Sequence, residues 1–531
     1  EAWIGIGLFV GAFANWIIVA PRLREQTQRY DNSLTIPQFL SNRFPSRAMA
    51  LRTVSAVIIV VFFAVYTASG LVAGGKLFTS AFGGVIDTDM MSDYAVGIWL
   101  TLGIVLTYTV VGGFLAVSLT DFCQGCIMMV ALVLMPVVVL FGSGGGGFDQ
   151  ASETLAGVDP NFLSWTDGLS IIGFLSAVTW GLGYFGQPHI IVRFMAIRTV
   201  GEVPKARNIG MTWMGISLIG AICVGVFGRA YAERNGLNVE DKETIFIVLA
   251  DLLFHPLVTG FLFAALLAAI MSTISSQLLV ASSSLTEDFY RLFLRRNASE
   301  GETVLIGRLS VLLVGLAAVF IASNPDSQVL GLVSNAWAGF GAAFGPLIIL
   351  SLTWPRMSGS GAVAGLVAGA LTVIVWIQLG WNSSFFGWDG IYEIIPGFIV
   401  AWIAIYVVSL ATESSGEFRP LEADRANYDP HENIRKDVLN EMRAKAKAQG
   451  LWCLQLKEET GGQELGIQGM AVCYEEMNRS IFGPVVFNSA APDDGNMIVL
   501  EKVGTDAQKD WFLQPIVDGD VRSSFAMTEP P

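Results

Sequence analysis

Charged residues are scarce in this sequence: Asp, Glu, Lys and Arg make up 14% of its 531 residues, whereas soluble proteins average roughly 25%. There is no stripe of basic residues, so nothing indicates nucleic-acid binding. The three histidines are scattered and cannot form a metal site together. Five cysteines without regular spacing do not indicate a disulfide framework. The apolar part of the chain also lacks a nucleophile beside a base and lacks paired carboxylates, which argues against an enzyme there.

Long apolar runs fill the first four-fifths of the chain. Each is about 20 residues long, which is enough to cross a bilayer core as a helix. Eleven spans are predicted, at 3–20, 53–75, 94–117, 121–141, 170–189, 211–229, 256–282, 304–323, 329–354, 361–379 and 392–410. The sequence therefore predicts an all-α polytopic membrane protein that is embedded in the lipid bilayer.

The basic residues of the loops indicate an orientation. They concentrate in three loops, which contain Arg22, Arg24, Arg29, Arg43, Arg47 and Arg52, then Arg193, Arg198, Lys205 and Arg207, then Arg291, Arg295, Arg296 and Arg308. All three loops fall on one side if each span crosses once, and basic loops favour the cytoplasm. We therefore expect residue 1 outside and the C-terminal tail in the cytoplasm.

The apolar runs stop after residue 410. We predict a membrane domain over 1–412, a charged linker over 413–433 and a small, mostly helical soluble domain over 434–531. In the last, 431–450 is predicted as an amphipathic helix ended by Gly450. Thr505 and Gln508 have the spacing of a capping box that opens a short helix limited by Pro515.

A row of hydroxyl side chains interrupts the apolar stretch 264–290. Ala269, Ser272, Thr273 and Ser276 are spaced so that a helix places them on one face. Two hydroxyls and a backbone carbonyl are uncharged oxygen ligands, which suit a hard, singly charged cation such as Na⁺. The alternative is that these hydroxyls only bond to carbonyls of their own helix or a neighbour.

Aromatic residues and glycines share the span 170–189. Trp180, Tyr184 and Pro188 fall at i, i+4 and i+8, which puts two rings with polar tips on one helical face before a break. Such a face could line a cavity with Tyr66 from another span, or could belong to an interfacial aromatic belt. The glycines of the segment match a dinucleotide pattern, but no strand precedes them, so we expect them to allow close helix packing.

Two acidic residues adjoin predicted spans. Asp121 follows Thr120 and is interpreted as part of a helix N-terminus. Glu393 is placed at a membrane edge, where a charge costs little, and no role is expected for it.

Several stretches resemble the sodium:solute symporter family. They are WGLGYFGQPHIIVRFMA (180–196), MSTISSQLLVASSSLTEDFYR (271–291) and LVSNAWAGFGAAFGP (332–346). Two more, YTASGLVAGGKLF (66–78) and IYEIIPGF (391–398), resemble its sodium/proline branch. The resemblance runs from residue 1 to about 424.

That resemblance implies a LeuT-type inverted-repeat fold with broken helices near the bilayer midplane. It implies a sodium site at Ala269, Ser272 and Thr273. It also implies a proline site at Tyr66, Trp180, Tyr184 and Pro188. Compared with the family pattern, the chain is expected to begin after the first two helices.

The tail resembles the N-terminal helical domain of acyl-CoA dehydrogenases, through KAKAQGLW (445–452), EEMNRS (475–480), FNSAAPDDGNMIVL (487–500) and SSFAMTEP (523–530). That family implies that Met527 and Thr528 approach a flavin. The resemblance stops before the domain that carries the catalytic glutamate. FAD is therefore expected only if the tail were completed, and the chain is not expected to be an enzyme.

The resulting expectation is sodium-coupled symport of L-proline by alternating access, in the bacterial cytoplasmic membrane, with Na⁺ as coupling ion and no other cofactor. One alternative is a membrane-tethered, FAD-dependent acyl-CoA dehydrogenase. Another is a fusion of misjoined fragments without activity of its own. A transporter-like sensor is disfavoured, because the tail has no kinase or phosphate-binding motif.

Overall fold

The computed structural model describes residues 2–29, 33, 35–83, 91–142, 144–295, 298–412, 425–430, 433–478 and 480–524. The chain divides into two compact units, Glu1–Glu417 and Phe418–Pro531. The apolar part of the chain and the tail thus form separate compact units.

The first unit is almost entirely helical. Its α-helices are α1 Ala2–Ile18, α2 Ala20–Arg29, α3 Ile36–Arg43, α4 Ala48–Phe82, α5 Asp93–Phe141, α6 Gly147–Val158, α7 Ile171–Val178, α8 Pro188–Met195, α9 Val203–Arg234, α10 Ile245–Leu253, α11 Pro256–Ser283, α12 Glu300–Ala322, α13 Val329–Thr353, α14 Gly359–Gln378 and α15 Ile394–Thr412. A 3₁₀ segment, Thr179–Phe185, joins α7 to α8, and a π-helical segment, Ser284–Leu294, continues α11. One small hairpin pairs β1 Ser384–Phe385 with β2 Trp388–Asp389 in antiparallel register.

Ten helical stretches among the described residues are long and apolar enough to cross a membrane. They coincide with ten of the eleven predicted spans. The eleventh, 170–189, is not one helix, because it is divided into α7, the 3₁₀ segment and α8. The prediction of a single α-helical span was therefore wrong there.

Helix α5 also differs from the prediction. Its helical stretch of 49 residues contains two candidate spans, Asp93–Val110 and Val117–Phe141. Gly97 of the first span approaches Phe78 of α4, and Met135 of the second span packs with Leu77, so the chain reverses direction between the two spans. The predicted gap at 118–120 contains neither Gly nor Pro. Thr120 Oγ1 donates to Val117 O within the helix at 2.9 Å. Asp121 consequently lies inside a helix and not at its N-terminus.

Contacts between loops agree with the predicted alternation of sides. Lys76 Nζ lies 2.8 Å from Asp241 Oδ2, and both residues belong to loops predicted outside. Arg24 Nη1 donates to Met195 O at 2.9 Å, and both belong to basic loops on the other side. Each of these two contacts joins loops that the span count places on the same side.

The centre of the first unit is α13, whose most apolar stretch is 89% buried. Small residues let other helices approach it and its neighbours. A Cβ on Gly11 of α1 would lie 2.2 Å from Gly181 O, so α1 and the 3₁₀ segment are in backbone contact. The predicted role of Gly181 and Gly183 in close helix packing is confirmed, although both lie in the 3₁₀ segment and not in an α-helix.

The second unit contains α16 Lys436–Ala448, α17 Ile467–Met477, α18 Gly483–Val486, α19 Asp493–Val503, α20 Asp506–Gln508 and α21 Gln514–Asp518. Gly450 follows α16 with φ +68°, as expected for a residue that ends a helix. Helix α16 begins at Lys436, five residues later than predicted.

The capping box of Thr505 and Gln508 is present. The helix that it opens does not end at Pro515, because a π turn, Lys509–Leu513, leads into α21. Pro515 lies in the first turn of α21, where its missing N–H costs no hydrogen bond. The predicted limit at Pro515 was therefore wrong, and Gly519 ends the helix with φ +82°.

Candidate functional site

Three oxygens predicted for sodium come together on α11. Ser272 Oγ donates to Ala269 O at 3.2 Å, and Thr273 Oγ1 donates to the same carbonyl at 3.0 Å. Both side chains are half-buried. Because α11 is an unbroken helix here, the predicted spacing and the observed face agree.

The same face continues into a charged cluster. Ser276 Oγ donates to Asp121 Oδ2 (3.2 Å) and accepts from Arg193 Nη2 (2.8 Å). Arg193 Nη2 and Asp121 Oδ2 are 2.5 Å apart. An acidic side chain inside a membrane helix is costly unless it is paired or functional, and Asp121 is paired here with Arg193.

No group of three or more His, Cys, Asp or Glu side chains among the described residues could hold a metal ion. At Ala269, Ser272 and Thr273 a cation would meet three neutral oxygens, and the nearest carboxylate bonded to this face is that of Asp121, through Ser276. The carbonyl oxygen of Ala269 accepts from both hydroxyls, so an ion at this carbonyl would replace these hydrogen bonds. The sodium site at Ala269, Ser272 and Thr273 stays a prediction.

The aromatic residues lie on the broken segment between α7 and α8. Gln187 caps α8, and Pro188 occupies its first turn. In a 3₁₀ segment, with three residues per turn, i and i+4 no longer share a face. The predicted common face of Trp180, Tyr184 and Pro188 was therefore wrong in its geometry.

Tertiary contacts nevertheless gather these aromatic residues. Trp337 Nε1 donates to Trp180 O at 2.8 Å. The Trp337 ring stands edge-on to Tyr184, with centroids 5.0 Å apart. The Trp180 ring stacks on Tyr392, also at 5.0 Å.

Tyr66 packs against the same cluster from α4. It lies edge-on to His189, with ring centroids 5.9 Å apart. Pro188 is buried beside Gln187, whose Nε2 donates to Trp337 O at 3.1 Å. Three of the four predicted substrate residues, Tyr66, Trp180 and Tyr184, therefore belong to one aromatic region of the core, and Pro188 is buried at the start of α8.

Helix α4 connects the aromatic region to the oxygen face. Thr67, next to Tyr66, donates through Oγ1 to Gln277 Oε1 at 3.2 Å, and Gln277 lies one turn beyond Thr273 on α11. A Cβ on Gly70 would lie 2.7 Å from Ile274, so the two helices are in close contact there. Displacement of α4 would consequently disturb both predicted sites.

Sequence reasoning missed three residues of this region: Asp121, Trp337 and Tyr392. A lone acid in an apolar segment was a usable signal for Asp121. For Trp337 the signal was weaker, a single large ring in a run of small residues. Nothing local indicated Tyr392, because its partner Trp180 is more than two hundred positions earlier.

Glu393 was also misplaced by the sequence. It is 1% exposed, not at an open membrane edge, because the preceding loop folds against α7. Its Oε1 has no hydrogen-bond partner in the part of the chain that the structure describes.

Met527 and Thr528, predicted to approach a flavin, lie outside the described residues. The core of the tail contains Cys453, which is fully buried, and Asn488, whose Nδ2 donates to Ile516 O at 2.9 Å. Burial raises the pKa of the Cys453 thiol to about 11, so this thiol is unreactive at neutral pH. The tail thus has a packed interior of its own.

Two family models match the chain. "Sodium:solute symporter family" matches residues 1–369. "Acyl-CoA dehydrogenase, N-terminal domain" matches residues 419–520. Both resemblances noted in the sequence are thereby confirmed.

Curated relatives cover most of the first unit. The high-affinity proline transporter PutP of Bacillus subtilis is 51% identical over 416 residues, 78% of this chain and 85% of the relative. The osmoregulated proline transporter OpuE of the same organism is 49% identical over 434 residues, 82% and 84% of the two chains. A sodium/proline symporter of Staphylococcus aureus is 51% identical over 423 residues, 78% and 80% of the two chains.

A solved structure of a Na⁺-coupled sialic acid symporter, in a substrate-bound outward-open state, has the same fold. The TM-score is 0.60 at 20% identity, over 77% of this chain and 84% of that one. The expected LeuT-type transporter fold is therefore confirmed. From the match over residues 1–369 and relatives at about half identity, the chain belongs to the sodium:solute symporter family.

Proposed function

We propose that this chain carries L-proline across the membrane together with Na⁺, by alternating access. The observation that supports this most is the identity of 49–51% to proline transporters and sodium/proline symporters over more than 400 residues. The fold alone would leave the solute open, since one fold serves many substrates.

We assign the sodium site to Ala269 O, Ser272 Oγ and Thr273 Oγ1. When the ion arrives, it takes the place of the two hydroxyl-to-carbonyl hydrogen bonds on this face. The exchange is local to one turn of α11. It therefore costs little reorganisation and gives the ion three uncharged oxygen ligands.

We assign the proline site to Tyr66, Trp180, Tyr184 and Pro188. The apolar pyrrolidine ring of proline suits the faces of the aromatic rings, which provide much contact area at low entropic cost. The N-terminus of α8 carries the positive end of the helix dipole at the break, which favours the carboxylate of the substrate. The broken segment thus supplies both apolar and anion-binding features.

Coupling follows from the contact between the two sites through α4. If Na⁺ favours the conformation that binds proline, proline must favour sodium binding by the same factor. Movement of Thr67 against Gln277 would transmit a change on α11 to Tyr66. Both ligands would then bias one conformational equilibrium.

We place the protein in the bacterial cytoplasmic membrane, with the linker 413–433 and the tail in the cytoplasm. The basic loops predicted on that side support this orientation. We propose no dehydrogenase reaction for the tail, over 434–531, and no FAD requirement for transport. The tail is instead a separate folded appendage of the carrier.

The test is uptake of labelled L-proline into proteoliposomes that contain the purified chain. Uptake should require an inward Na⁺ gradient, should disappear when K⁺ replaces Na⁺, and should be competed by unlabelled L-proline. Equal uptake in the two salts would contradict sodium coupling. Sodium-driven uptake of another solute without proline competition would contradict the assigned substrate.

A further inference from the structure

Tyr392 lies outside the helices to which the substrate residues belong. It follows the hairpin of β1 and β2 and precedes α15. Its ring nevertheless stacks on Trp180, with centroids 5.0 Å apart and planes 20° apart. Both side chains are buried, at 7% and 9% exposure.

Three elements hold Tyr392 in place. Its hydroxyl donates to Ser334 O of α13 at 3.1 Å, and its backbone N–H donates to Ser176 Oγ of α7 at 3.2 Å. Immediately before it, Ile391 O accepts from Trp376 Nε1 of α14 at 2.9 Å. A residue fixed from so many directions is a rigid support for whatever it contacts.

Trp180 needs such a support. It lies in a 3₁₀ segment next to Gly181, where the regular ladder of α-helical hydrogen bonds is absent. Trp337 fixes its backbone carbonyl. The ring packs in a buried cluster, and among the described residues its stacked partner is Tyr392.

We propose that Tyr392 is a positioning residue for substrate binding, which holds the Trp180 ring in the orientation that receives proline. This inference rests on the proposed function and extends it to a residue of the peripheral loop before α15. It also gives a role to the stretch 391–398, which carries the resemblance to the proline branch but lies outside the two predicted sites.

Another stacked pair provides a matched control. Tyr406 of α15 stacks on Trp354 with the same centroid separation, 5.0 Å, and planes 19° apart. Neither ring belongs to the aromatic region. Tyr406 is 48% exposed, so removal of that stack tests the loss of a Tyr–Trp ring pair at a smaller packing cost and without any effect on the substrate.

The experiment compares Tyr392→Leu, Tyr392→Phe and Tyr406→Leu with the unmodified chain, at equal amounts of protein in proteoliposomes. Tyr392→Leu should raise the KM for L-proline about fivefold, the size of one lost aromatic pair, while the maximal rate changes little. Tyr392→Phe keeps the stack and should restore the original KM, and Tyr406→Leu should leave it unchanged. A KM unaffected by Tyr392→Leu, or raised equally by Tyr406→Leu, would overturn the proposal.

A second measurement needs no transport. Oxidative footprinting with mass spectrometry should show faster oxidation of Trp180 in Tyr392→Leu than in the unmodified chain or in Tyr392→Phe. If the unmodified chain shows no sodium-driven proline uptake, the proposed function fails, and footprinting alone then decides on Tyr392. Unchanged oxidation of Trp180 in Tyr392→Leu would refute the positioning role.

Discussion

In helix α11 and in the broken segment from α7 to α8, the spacing of polar and aromatic residues predicts one shared face on a regular α-helix. In α11 the assumption holds, and Ala269, Ser272 and Thr273 share a face as predicted. Between α7 and α8 it fails, because seven residues form a 3₁₀ segment. The two regions therefore separate what spacing can predict from what it cannot.

The comparison shows two ways to build a site. On α11 a continuous backbone sets the geometry, and each hydroxyl takes its position from its own helix. In the broken segment the backbone sets little, and neighbours such as Trp337 and Tyr392 determine where the rings lie. A site of the first kind should tolerate changes in surrounding residues better than a site of the second kind.

Gly186→Ala should have the largest effect on stability and uptake, because it forces the broken segment away from α13. A Cβ at this position would lie 2.2 Å from Phe340 O, a backbone atom of α13 that cannot move alone. Overpacking of this kind costs about 1–3 kcal/mol or more. We expect a clearly lower apparent melting temperature in detergent and loss of most proline uptake.

The matched control is Gly260→Ala on α11, where a Cβ would meet no atom within 4 Å. Alanine favours a helix over glycine by up to about 1 kcal/mol, so this variant should be as stable as the unmodified chain or more so. If both variants melted alike, the supposed dependence of the broken segment on close packing would be wrong.

Tyr184→Ala should follow in size. It removes the ring that contacts Trp337 and leaves α11 untouched. Truncation of a central aromatic residue typically costs about 2 kcal/mol or more in binding, so proline affinity should fall by about thirtyfold. Equilibrium binding of labelled proline at saturating Na⁺ measures this, and unchanged affinity would remove Tyr184 from the proposed site.

Thr273→Ala tests the other region and should act on sodium. It removes one of three oxygens, and we expect the half-saturating Na⁺ concentration to rise about tenfold, equivalent to about 1.4 kcal/mol. Ser283→Ala is the control, because Ser283 Oγ makes the same type of bond to its own helix, with Leu279 O at 2.9 Å. Equal shifts in both variants would mean that the hydroxyls serve only packing.

Much of the fold could be predicted from the sequence, because hydropathy and span length are local properties. Ten spans were found in this way. The break between α7 and α8 had visible signals, namely Gly183, Gly186 and Pro188, but these indicated a break after the aromatic residues and not through them. Whether a glycine-rich stretch stays helical depends on what packs against it, and here α1 and α13 do so.

The site could be predicted only where its residues are neighbours in sequence. Ser272 and Thr273 could be predicted from their spacing because a regular helix places them on one face, where both bond to Ala269 O. Asp121 was missed because its partner Arg193 is 72 positions away. Tyr392 and Trp337 depend on contacts over still longer distances, which only the assembled fold provides.

Thr179→Ala should have the smallest effect on transport. It tests whether a hydroxyl in the broken segment affects sodium as the hydroxyl of Thr273 on α11 does. Thr179 Oγ1 donates to Leu175 O at 2.8 Å, the same kind of bond that Thr273 makes to Ala269 O at 3.0 Å. Thr179 has no second hydroxyl on the same carbonyl, so it offers no cluster of oxygens for an ion. We therefore expect unchanged sodium dependence, unchanged proline affinity and a stability loss of about 1 kcal/mol, the size of one lost hydrogen bond at this half-buried position. A sodium shift in Thr179→Ala like that of Thr273→Ala would mean that a hydroxyl bonded to its own helix affects the ion wherever it lies. The distinction between a helix that binds the ion and a segment that binds the substrate would then be lost.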